Sequence, residues 1–389
     1  MGTHRLLFIF IAATVCAQES GVGPVLRETM FENVPALVLS NDKLELTVLL
    51  HSGAFAKLLR RDDPERLSPF WNPAWAARVA GEPPPSLPSF GHFVCVDGFG
   101  SPSGEEQAAG LPDHGEAHFQ LWKLRSYDQK DGLATLTLET QLERAQETFT
   151  RTIRVANGES VIYVHSELAS DVAFDRPVSW AEHATIGAPF LEPFATVVDL
   201  SCGRAIMRPY EASEAPTRRL ASGKEFTWPK ASSKDGDAID LRVTPMAPPE
   251  TADLATVVLD SRREFAFVTA VNTRRHLVLG YLVRPSDYPW LQDWEHFSNP
   301  TTMARGLEFA TQPFGMPRRE VVNMHSLLDT PTFRWLPAKA KIETSFLMFY
   351  AKTPQRFNRV DDVRLENGRI VIEDNSSGER IQLSASLKP

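Results

Sequence analysis

Apolar and polar residues alternate with a period of two along much of the chain. The alternation is clear in 44–50, 134–140 and 147–155, and the pair Asn157-Gly158 separates the last of these from another alternating segment at 160–166. Successive side chains of a strand point to opposite faces of a sheet, so this pattern predicts half-buried β-strands. The Asn-Gly pair predicts a hairpin turn between two of them.

Prolines and glycines punctuate the chain at short intervals, and sustained helical periodicity is hard to find after the first twenty residues. The sequence contains 29 prolines and 22 glycines. Frequent turn residues between short alternating segments indicate an all-β fold with many strands. Two loops rich in turn residues, 81–89 and 99–112, are candidates for the border of a binding cleft.

The first residues predict export from the cytoplasm. Arg5 precedes an apolar run at 6–15, which is followed by Cys16, Ala17 and Gln18. This is the layout of a secretory signal peptide, with cleavage after Ala17 and a secreted or periplasmic product. The run is about half as long as a spanning helix requires, so no stable membrane span is expected. A lipid anchor on Cys16 is the less favoured alternative, because Val15 before it is bulky.

Length and charge narrow the class of protein further. We expect one large β domain over 25–355, followed by a small C-terminal β-meander at 356–389, where short alternating segments resume. The net charge is −8, with lysines and arginines scattered along the chain. Such a chain has no basic stripe to track phosphates, so nucleic acid is excluded as a partner. Cys95 and Cys202 either pair or remain buried free thiols, and the oligomeric state is not predicted.

Candidate chemistry is densest between Leu111 and Trp122. Read as a strand, this segment places the following residues on one face: His114, Glu116, His118, Gln120 and Trp122. A polar face that ends in an aromatic residue suits a ligand cleft, with Asp113 beside it. A metal site is the alternative, but alternate strand residues lie about 7 Å apart, which is wide for ligands that must meet on one ion. No metal or other cofactor is expected.

Two further segments place a candidate acid or base in apolar surroundings. The pair Glu182-His183 interrupts an apolar stretch at 177–191 that closes with Gly187 and Pro189, which predicts a strand running into a loop at a cleft. Glu308 lies between Leu307 and Phe309. Burial raises the pKa of a carboxyl group, which suits a general acid or base. The alternatives are a structural histidine and an ordinary ion-paired glutamate.

Taken in order, these segments resemble the aldose 1-epimerase (galactose mutarotase-like) family. The resemblance rests on three features: His114-Gly115 after a proline-containing approach, His183 in a strand ahead of Gly, Pro and Phe, and Glu308 before a proline-containing turn. It extends over about 31–350, with further likeness at 69–73, 149–154 and 288–294. The chain departs from the family after His114-Gly115, where it has Glu116 and His118.

The resemblance implies both a fold and a chemistry. The fold would be a large antiparallel β-supersandwich. Glu308 would be the general base that takes the proton of the anomeric hydroxyl, His183 the general acid that protonates the ring oxygen, and His114 a group that holds the sugar. The substrate would be a small sugar or the sugar end of an oligosaccharide. Further candidates for sugar contact are Asp113, Glu116, His118, Trp122, Trp294 and Gln312.

Two other functions remain open at this stage. One is a carbohydrate-binding protein without turnover, and the other is a polysaccharide lyase or glycosidase with Glu116 and Glu308 as its carboxylate pair. Acid–base chemistry on a sugar ring requires its two groups to meet. We therefore expect Glu308 and His183 to face each other across one pocket, with Trp122 or Trp294 on its wall.

Overall fold

The computed structural model of the protein describes residues 23–85, 89–246, 251–297 and 299–389. The predicted signal peptide, residues 1–17, lies outside the described residues. Within the described ranges, no helix is both long enough and apolar enough to cross a membrane.

Strands dominate the described residues, which also form three short α-helices. The strands of the first half are β1 (Val25–Phe31), β2 (Val34–Ser40), β3 (Leu44–Leu49), β4 (Phe55–Arg60), β5 (His92–Val96), β6 (Lys123–Lys130), β7 (Leu133–Leu142), β8 (Glu147–Ala156), β9 (Val161–Ser170), β10 (Arg176–Val178), β11 (Trp180–Gly187) and β12 (Thr196–Leu200). Those of the second half are β13 (Cys202–Met207), β14 (Glu225–Thr227), β15 (Lys230–Ser232), β16 (Ala238–Asp240), β17 (Thr251–Leu259), β18 (Ala266–Asn272), β19 (Leu277–Val283), β20 (Trp290–Phe297), β21 (Ala304–Ala310), β22 (Ser326–Leu327), β23 (Thr330–Pro331), β24 (Arg334–Leu336), β25 (Lys341–Lys352), β26 (Asp362–Glu366), β27 (Arg369–Asp374) and β28 (Glu379–Ser384). The helices are α1 (Pro73–Ala80), α2 (Gly104–Ala108) and α3 (Arg318–Met324), with 3-10 turns at Ala117–Phe119 and Ala215–Thr217.

Two large antiparallel sheets pack face to face. The first, here called the cleft sheet, has the order β1-β2-β3-β4-β5-β11-β21-β20-β17-β13-β14-β15-β16. The second, the back sheet, has the order β12-β18-β19-β25-β9-β8-β7-β6. Neighbouring strands run antiparallel in both. The all-β antiparallel sandwich expected from the sequence is therefore confirmed.

The alternating segments form strands because each has one buried face. In β7 and β8 buried residues alternate with partly exposed ones, as their sequences predict. The hairpin at Asn157-Gly158 is also confirmed, since β8 and β9 pair along their length on either side of it. Apolar side chains from both large sheets meet in one core between them, among them Leu46 and Val94 from the cleft sheet and Ile153 from the back sheet.

Strand β19 does not alternate, and every one of its residues is buried. The reason lies in the three-stranded C-terminal sheet, β26-β27-β28, which covers the outer face of the back sheet. Val363 and Ile370 of that small sheet pack in one cluster with Val278 and Phe349 of the back sheet. A strand enclosed on both faces becomes continuously apolar.

A charged network is enclosed in the main core beneath the cleft sheet. Glu182 of β11 accepts a hydrogen bond from Arg151 of β8 at 2.5 Å and lies 3.0 Å from His92 of β5, and all three side chains are fully buried. Burial alone would raise the pKa of Glu182, but Arg151 and His92 hold it below its ordinary value. The negative charge of Glu182 is thus balanced by Arg151 inside the core, where an unpaired charge would be costly.

The predicted strand between Leu111 and Trp122 is wrong. His114 and Gly115 both adopt positive φ, +61° and +79°, and a 3-10 turn follows at Ala117–Phe119. A strand cannot continue through two successive residues in that conformation. A Cβ at Gly115 would lie 2.1 Å from the carbonyl oxygen of Val96, so the turn depends on glycine.

Cys95 and Cys202 are both free thiols.

Candidate functional site

A cavity of about 780 Å³ opens on the face of the cleft sheet that points away from the core. Strands β5, β11, β21, β20 and β17, which are neighbours in the sheet, form its floor. The loops predicted to border a cleft contribute to its wall, through Ser89 from the first and Phe99 to Pro102 from the second. Residues of one strand face alternate sides of a sheet, and the lining residues of β11, His183 and Thr185, are accordingly two positions apart.

Glu308 and His183 meet in this cavity. Glu182 pairs with Phe309 and Thr185 with Gly306 across β11 and β21, which sets His183 opposite Glu308. Glu308 Oε1 lies 3.3 Å from His183 Nε2. Glu308 is only 2 % exposed, so the contact is shielded from bulk water. The expected facing of these two residues across one pocket is what the structure shows.

Burial drives the two groups toward their uncharged forms. It raises the pKa of Glu308 well above the ordinary carboxyl value, and the negative Asp293 adds to the shift. It lowers the pKa of His183 well below the ordinary imidazole value, with His114 and His118 acting in the same direction. The favoured state is a carboxylic acid beside a neutral imidazole, and this pair holds one transferable proton.

Gly306 makes room for the carboxyl group of Glu308. The Glu308 side chain folds back over the backbone two residues before it, and a Cβ at Gly306 would lie 2.1 Å from Oε1 and 2.9 Å from Cδ. Any side chain at Gly306 would therefore displace the carboxyl group. Thr185 fixes the partner, because its Oγ1 lies 3.0 Å from His183 Nδ1.

His114 stands beside the pair with a defined hydrogen-bonding state. Its ring centroid is 5.1 Å from that of His183, with the two rings nearly perpendicular. The backbone N–H of Gly100 donates to His114 Nδ1 at 3.4 Å, and the thiol of Cys95 lies 3.5 Å from the same nitrogen. An N–H donor requires a lone pair on Nδ1, so neutral His114 carries its proton on Nε2. Burial lowers its pKa and favours this neutral form.

Aromatic rings give the cavity an apolar wall. Phe93 stacks on His183 with a centroid distance of 4.4 Å and a tilt of 17°. Trp294 of β20 lies edge-on to His183 at 6.2 Å and is itself stacked on His296 at 5.6 Å. Flat apolar rings near hydrogen-bonding groups suit the C–H faces and hydroxyls of a sugar.

The predicted site residues divide into two groups. Five line the cavity or flank a residue that does: His114, His183, Glu308 and Trp294 line it, and Asp113 lies beside His114 with its carboxylate 3.9 Å from Nε2. The structure does not place Glu116, His118, Trp122 or Gln312 on the cavity lining.

Each of those four has another role in the fold. Glu116 accepts hydrogen bonds from the backbone N–H groups of Arg144 and Ala145, which holds a neighbouring turn. His118 stacks on the far side of Phe93 at 4.1 Å. Trp122 is in the main core and donates to the carbonyl of Ala117, and Gln312 donates to the carbonyl of Phe314. The single-face interpretation of 114–122 was wrong because the segment turns instead of extending.

Sequence reasoning did not single out Gln292, Phe93, Trp71 and Arg208, all of which line the cavity. Gln292 is opposite Glu308 in the β20–β21 register and is 1 % exposed. Its Oε1 accepts from the N–H of Gly315, while its Nε2 has no partner among the described residues. The sequence of β20 does not distinguish it, because Asp293 and Glu295 in the same strand are polar as well.

The structure does not bring His114, Glu116 and His118 together as metal ligands, since Glu116 is bound to backbone and His118 is behind Phe93. The one grouping of possible ligands within the described ranges is His165, Glu167 and Glu343, on the back sheet. Lys341 bridges its two carboxylates at 2.8 and 2.7 Å, so an ammonium group already offsets part of their charge.

Solved structures share this fold at low sequence identity. A candidate aldose 1-epimerase from Klebsiella pneumoniae subsp. pneumoniae superposes with a TM-score of 0.61 at 12 % identity, over 85 % of this chain and 84 % of that one. A galactose mutarotase-like protein from Clostridium acetobutylicum gives 0.56 at 12 % identity, over 85 % and 99 %. A galactose mutarotase related enzyme from Lactobacillus acidophilus gives 0.55 at 11 % identity, over 85 % and 100 %.

No family model matches this chain, and no curated protein matches it. The likeness to mutarotase-like structures thus agrees with the resemblance seen in the sequence, and at this identity it establishes the fold. The chain has the galactose mutarotase-like sandwich. Its activity has to be argued from the site.

Proposed function

We propose that this protein interconverts the anomers of a sugar by acid–base catalysed opening and closing of the ring. The observation that carries the proposal is the contact of Glu308 with His183, 3.3 Å apart inside a cavity large enough for a sugar. Opening a hemiacetal requires one proton to leave the anomeric hydroxyl and another to reach the ring oxygen. A buried acid–base pair supplies both, and each such group contributes about 10² to 10⁴ in rate.

The proton balance of the pair fits this reaction. Transfer of the shared proton from Glu308 to His183 gives a carboxylate and an imidazolium. The carboxylate then takes the proton of the anomeric hydroxyl, while the imidazolium protonates the ring oxygen and the ring C–O bond breaks. The pair returns to its neutral form beside an open-chain aldehyde. Rotation about the bond between C1 and C2 and the reverse transfers close the other anomer.

Other cavity residues are suited to hold the sugar. His114, protonated on Nε2, and Gln292, with its free amide N–H groups, are donors for sugar oxygens. Phe93 and Trp294 present apolar ring surface to the sugar's C–H face. No step of this chemistry requires a cofactor. The glycosidase alternative is not favoured, because both oxygens of Glu116 are engaged by backbone N–H groups away from the cavity.

The predicted signal peptide extends the proposal to location. We infer that the mature protein acts on sugars outside the cytoplasm, because the first seventeen residues have the layout of an export signal. Mass spectrometry of the protein from the cell envelope or medium should give an N-terminus at Gln18. A retained Met1 in a cytoplasmic fraction would contradict export.

Glu308→Gln tests the catalytic assignment. The amide cannot accept a proton from the anomeric hydroxyl, so anomer exchange should fall by about 10² to 10⁴. The assay is polarimetry or exchange NMR on freshly dissolved glucose, galactose and xylose. Glu116→Gln is the control, since it alters a buried glutamate outside the cavity. It should retain activity once its folding is confirmed by circular dichroism.

Two outcomes would overturn the proposal. If the wild type leaves the spontaneous rate of every sugar unchanged while calorimetry detects binding, the protein binds sugars without turning them over. If Glu308→Gln retains wild-type rates, the carboxyl group is not the base.

A further inference from the structure

We propose that the cleft takes the end of an oligosaccharide of at least two units, with the second unit lying across β20 and β17 toward Arg208. The inference rests on the proposed function only for the place of the first sugar, whose anomeric carbon is set at Glu308 and His183. It adds a second binding subsite and so defines the substrate class.

The cavity is larger than one sugar requires. Pockets that enclose drug-sized ligands measure about 300–1,000 Å³, and a single hexose is a smaller molecule than these. The cavity of about 780 Å³ is in the upper half of that range. Space therefore remains beside a hexose bound at the acid–base pair.

A continuous row of residues shows where that space extends. Thr185 pairs with Gly306, Gly306 with Trp294, and Trp294 with Leu254, so these residues are level with one another across four strands. The backbone N–H of Arg208 donates to the carbonyl of Leu254, which continues the row past the end of β13. All of its members except Gly306 line the cavity.

The far end of the row is beyond a sugar held at the pair. Strand β13, which leads into Arg208, is separated from β21 by β20 and β17. Three spacings of about 4.8 Å place the two backbones roughly 14 Å apart, which exceeds the width of one pyranose ring. A group bound at Arg208 therefore belongs to a neighbouring unit of the ligand.

Arg208 is available for such a contact. Other arginines at this end of the sheet are paired, Arg204 with Glu225 and Asp329, and Arg219 with Asp253 and Glu295. The exposed guanidinium of Arg208 has neither an ion pair nor a hydrogen bond in the part of the chain that the structure describes. Its five donors can bind sugar hydroxyls or a sugar carboxylate.

Trp294 and Leu254 supply the apolar surface between the two positions. Trp294 is held in place by its parallel stack on His296, with a tilt of 9°. Its contact with His183 puts it next to the first sugar, and its register with Leu254 extends the apolar surface toward Arg208. Aromatic surface followed by a planar charged donor is a suitable arrangement for stacking and hydrogen bonding a second sugar ring.

The test compares glucose with four disaccharides that have a free anomeric end: maltose, cellobiose, isomaltose and gentiobiose. At least one disaccharide should exceed glucose in kcat/KM by about tenfold, since a hydrogen bond to a charged group is worth about 1.5–3 kcal/mol and each 1.4 kcal/mol is tenfold. Arg208→Gln should remove most of that preference. Arg27→Gln is the control, because Arg27 is also exposed and free of side-chain partners among the described residues, on β1 at the opposite edge of the sheet.

Calorimetry of the same five sugars with Glu308→Gln separates this inference from the proposed function, because it measures binding without turnover. A gain in affinity for a disaccharide that Arg208→Gln abolishes supports the second subsite even if no sugar is turned over. Equal affinity for glucose and all four disaccharides overturns it. An effect of Arg208→Gln on glucose 6-phosphate but on no disaccharide also overturns it, since the cation would then bind a substituent of a single sugar.

Discussion

Gly306→Ala is the sharpest test of how the sheet positions the carboxyl group of Glu308, to which we assign the catalytic role. The added Cβ would lie 2.1 Å from Oε1 of Glu308, whereas real Cβ contacts below 3.0 Å essentially do not occur. The carboxyl group must therefore retreat by roughly 1 Å, and a displacement of that size at a catalytic group costs about 10²-fold in rate. This corresponds to about 2.7 kcal/mol of lost transition-state stabilisation.

The substitution should affect activity far more than folding. The nearest atoms to the new methyl group belong to the side chain of Glu308, which can move. Replacing glycine by alanine also reduces the conformational entropy of the unfolded chain, which stabilises the folded state by about 0.4–1 kcal/mol. Gly203→Ala is the matched control, because Gly203 is also in a strand of the cleft sheet and a Cβ there would meet nothing within 4 Å.

Exchange NMR of the anomers gives the rate, and thermal unfolding gives the stability of each variant. We expect Gly203→Ala to keep the wild-type rate and Gly306→Ala to lose about two orders of magnitude with its fold intact. A rate for Gly306→Ala within twofold of the control would refute the reasoning. The position of the Glu308 carboxyl group would then be unimportant to catalysis.

Three further predictions concern single side chains. Because burial raises the folded-state pKa of Glu308, the folded protein retains a proton that the unfolded chain releases above pH 4.5. Stability is therefore lost as pH rises from 4.5 through that raised pKa, by up to about 1.4 kcal/mol per pH unit. Glu308→Gln should unfold at a higher temperature than the wild type, by a margin that widens with pH, and a margin independent of pH would contradict the assignment. Cys95→Ala should lower the fraction of His114 that carries its proton on Nε2, because Nδ1 loses one of its two donors, and Cys95→Ser should restore that fraction. The ¹⁵N shifts of the imidazole measure it, and identical spectra for both variants would show that Gly100 alone fixes the ring. Trp122→Phe leaves the carbonyl of Ala117 without its indole donor and should cost about 1–3 kcal/mol of stability, while sugar affinity measured by calorimetry stays the same; a change in affinity would place Trp122 in the site after all.

Strand prediction succeeded where one face of a segment packs against the core. In β8 buried and partly exposed residues alternate with the same period of two as apolar and polar residues in the sequence, so the sequence pattern alone predicts the strand. The strand that carries His183 was also predicted, because the pair Glu182-His183 interrupts an apolar stretch. For Glu308 the sequence predicted a carboxyl group in apolar surroundings, and the structure places it in β21. A charge kept in such surroundings is expensive unless it has a partner or a function.

The segment 111–122 failed for a reason that lies elsewhere in the chain. Its alternation is real, but the turn at His114 and Gly115 is set by the backbone of Val96 and Gly98, which approaches too closely for any side chain. Gln292 was missed for a similar reason, since its importance follows from its register with Glu308 on the neighbouring strand. Contacts between distant segments decide both cases, and single-segment patterns do not contain them.

One face of β11 carries Glu182 into the buried charged network, and the other carries His183 into the cavity. The network therefore affects where His183 lies. Consecutive residues Glu182 and His183 point to opposite sides of the sheet, so sliding the strand by one residue would exchange them. Such a slip would take Glu182 away from Arg151 and leave an uncompensated positive charge in the core, which typically costs about 3–5 kcal/mol. The ion pair between Glu182 and Arg151 on the core side of the sheet therefore fixes the register of β11, and with it the position of the His183 imidazole on the cavity side. A substitution at the rim of the cavity leaves untouched the register that sets His183 opposite Glu308.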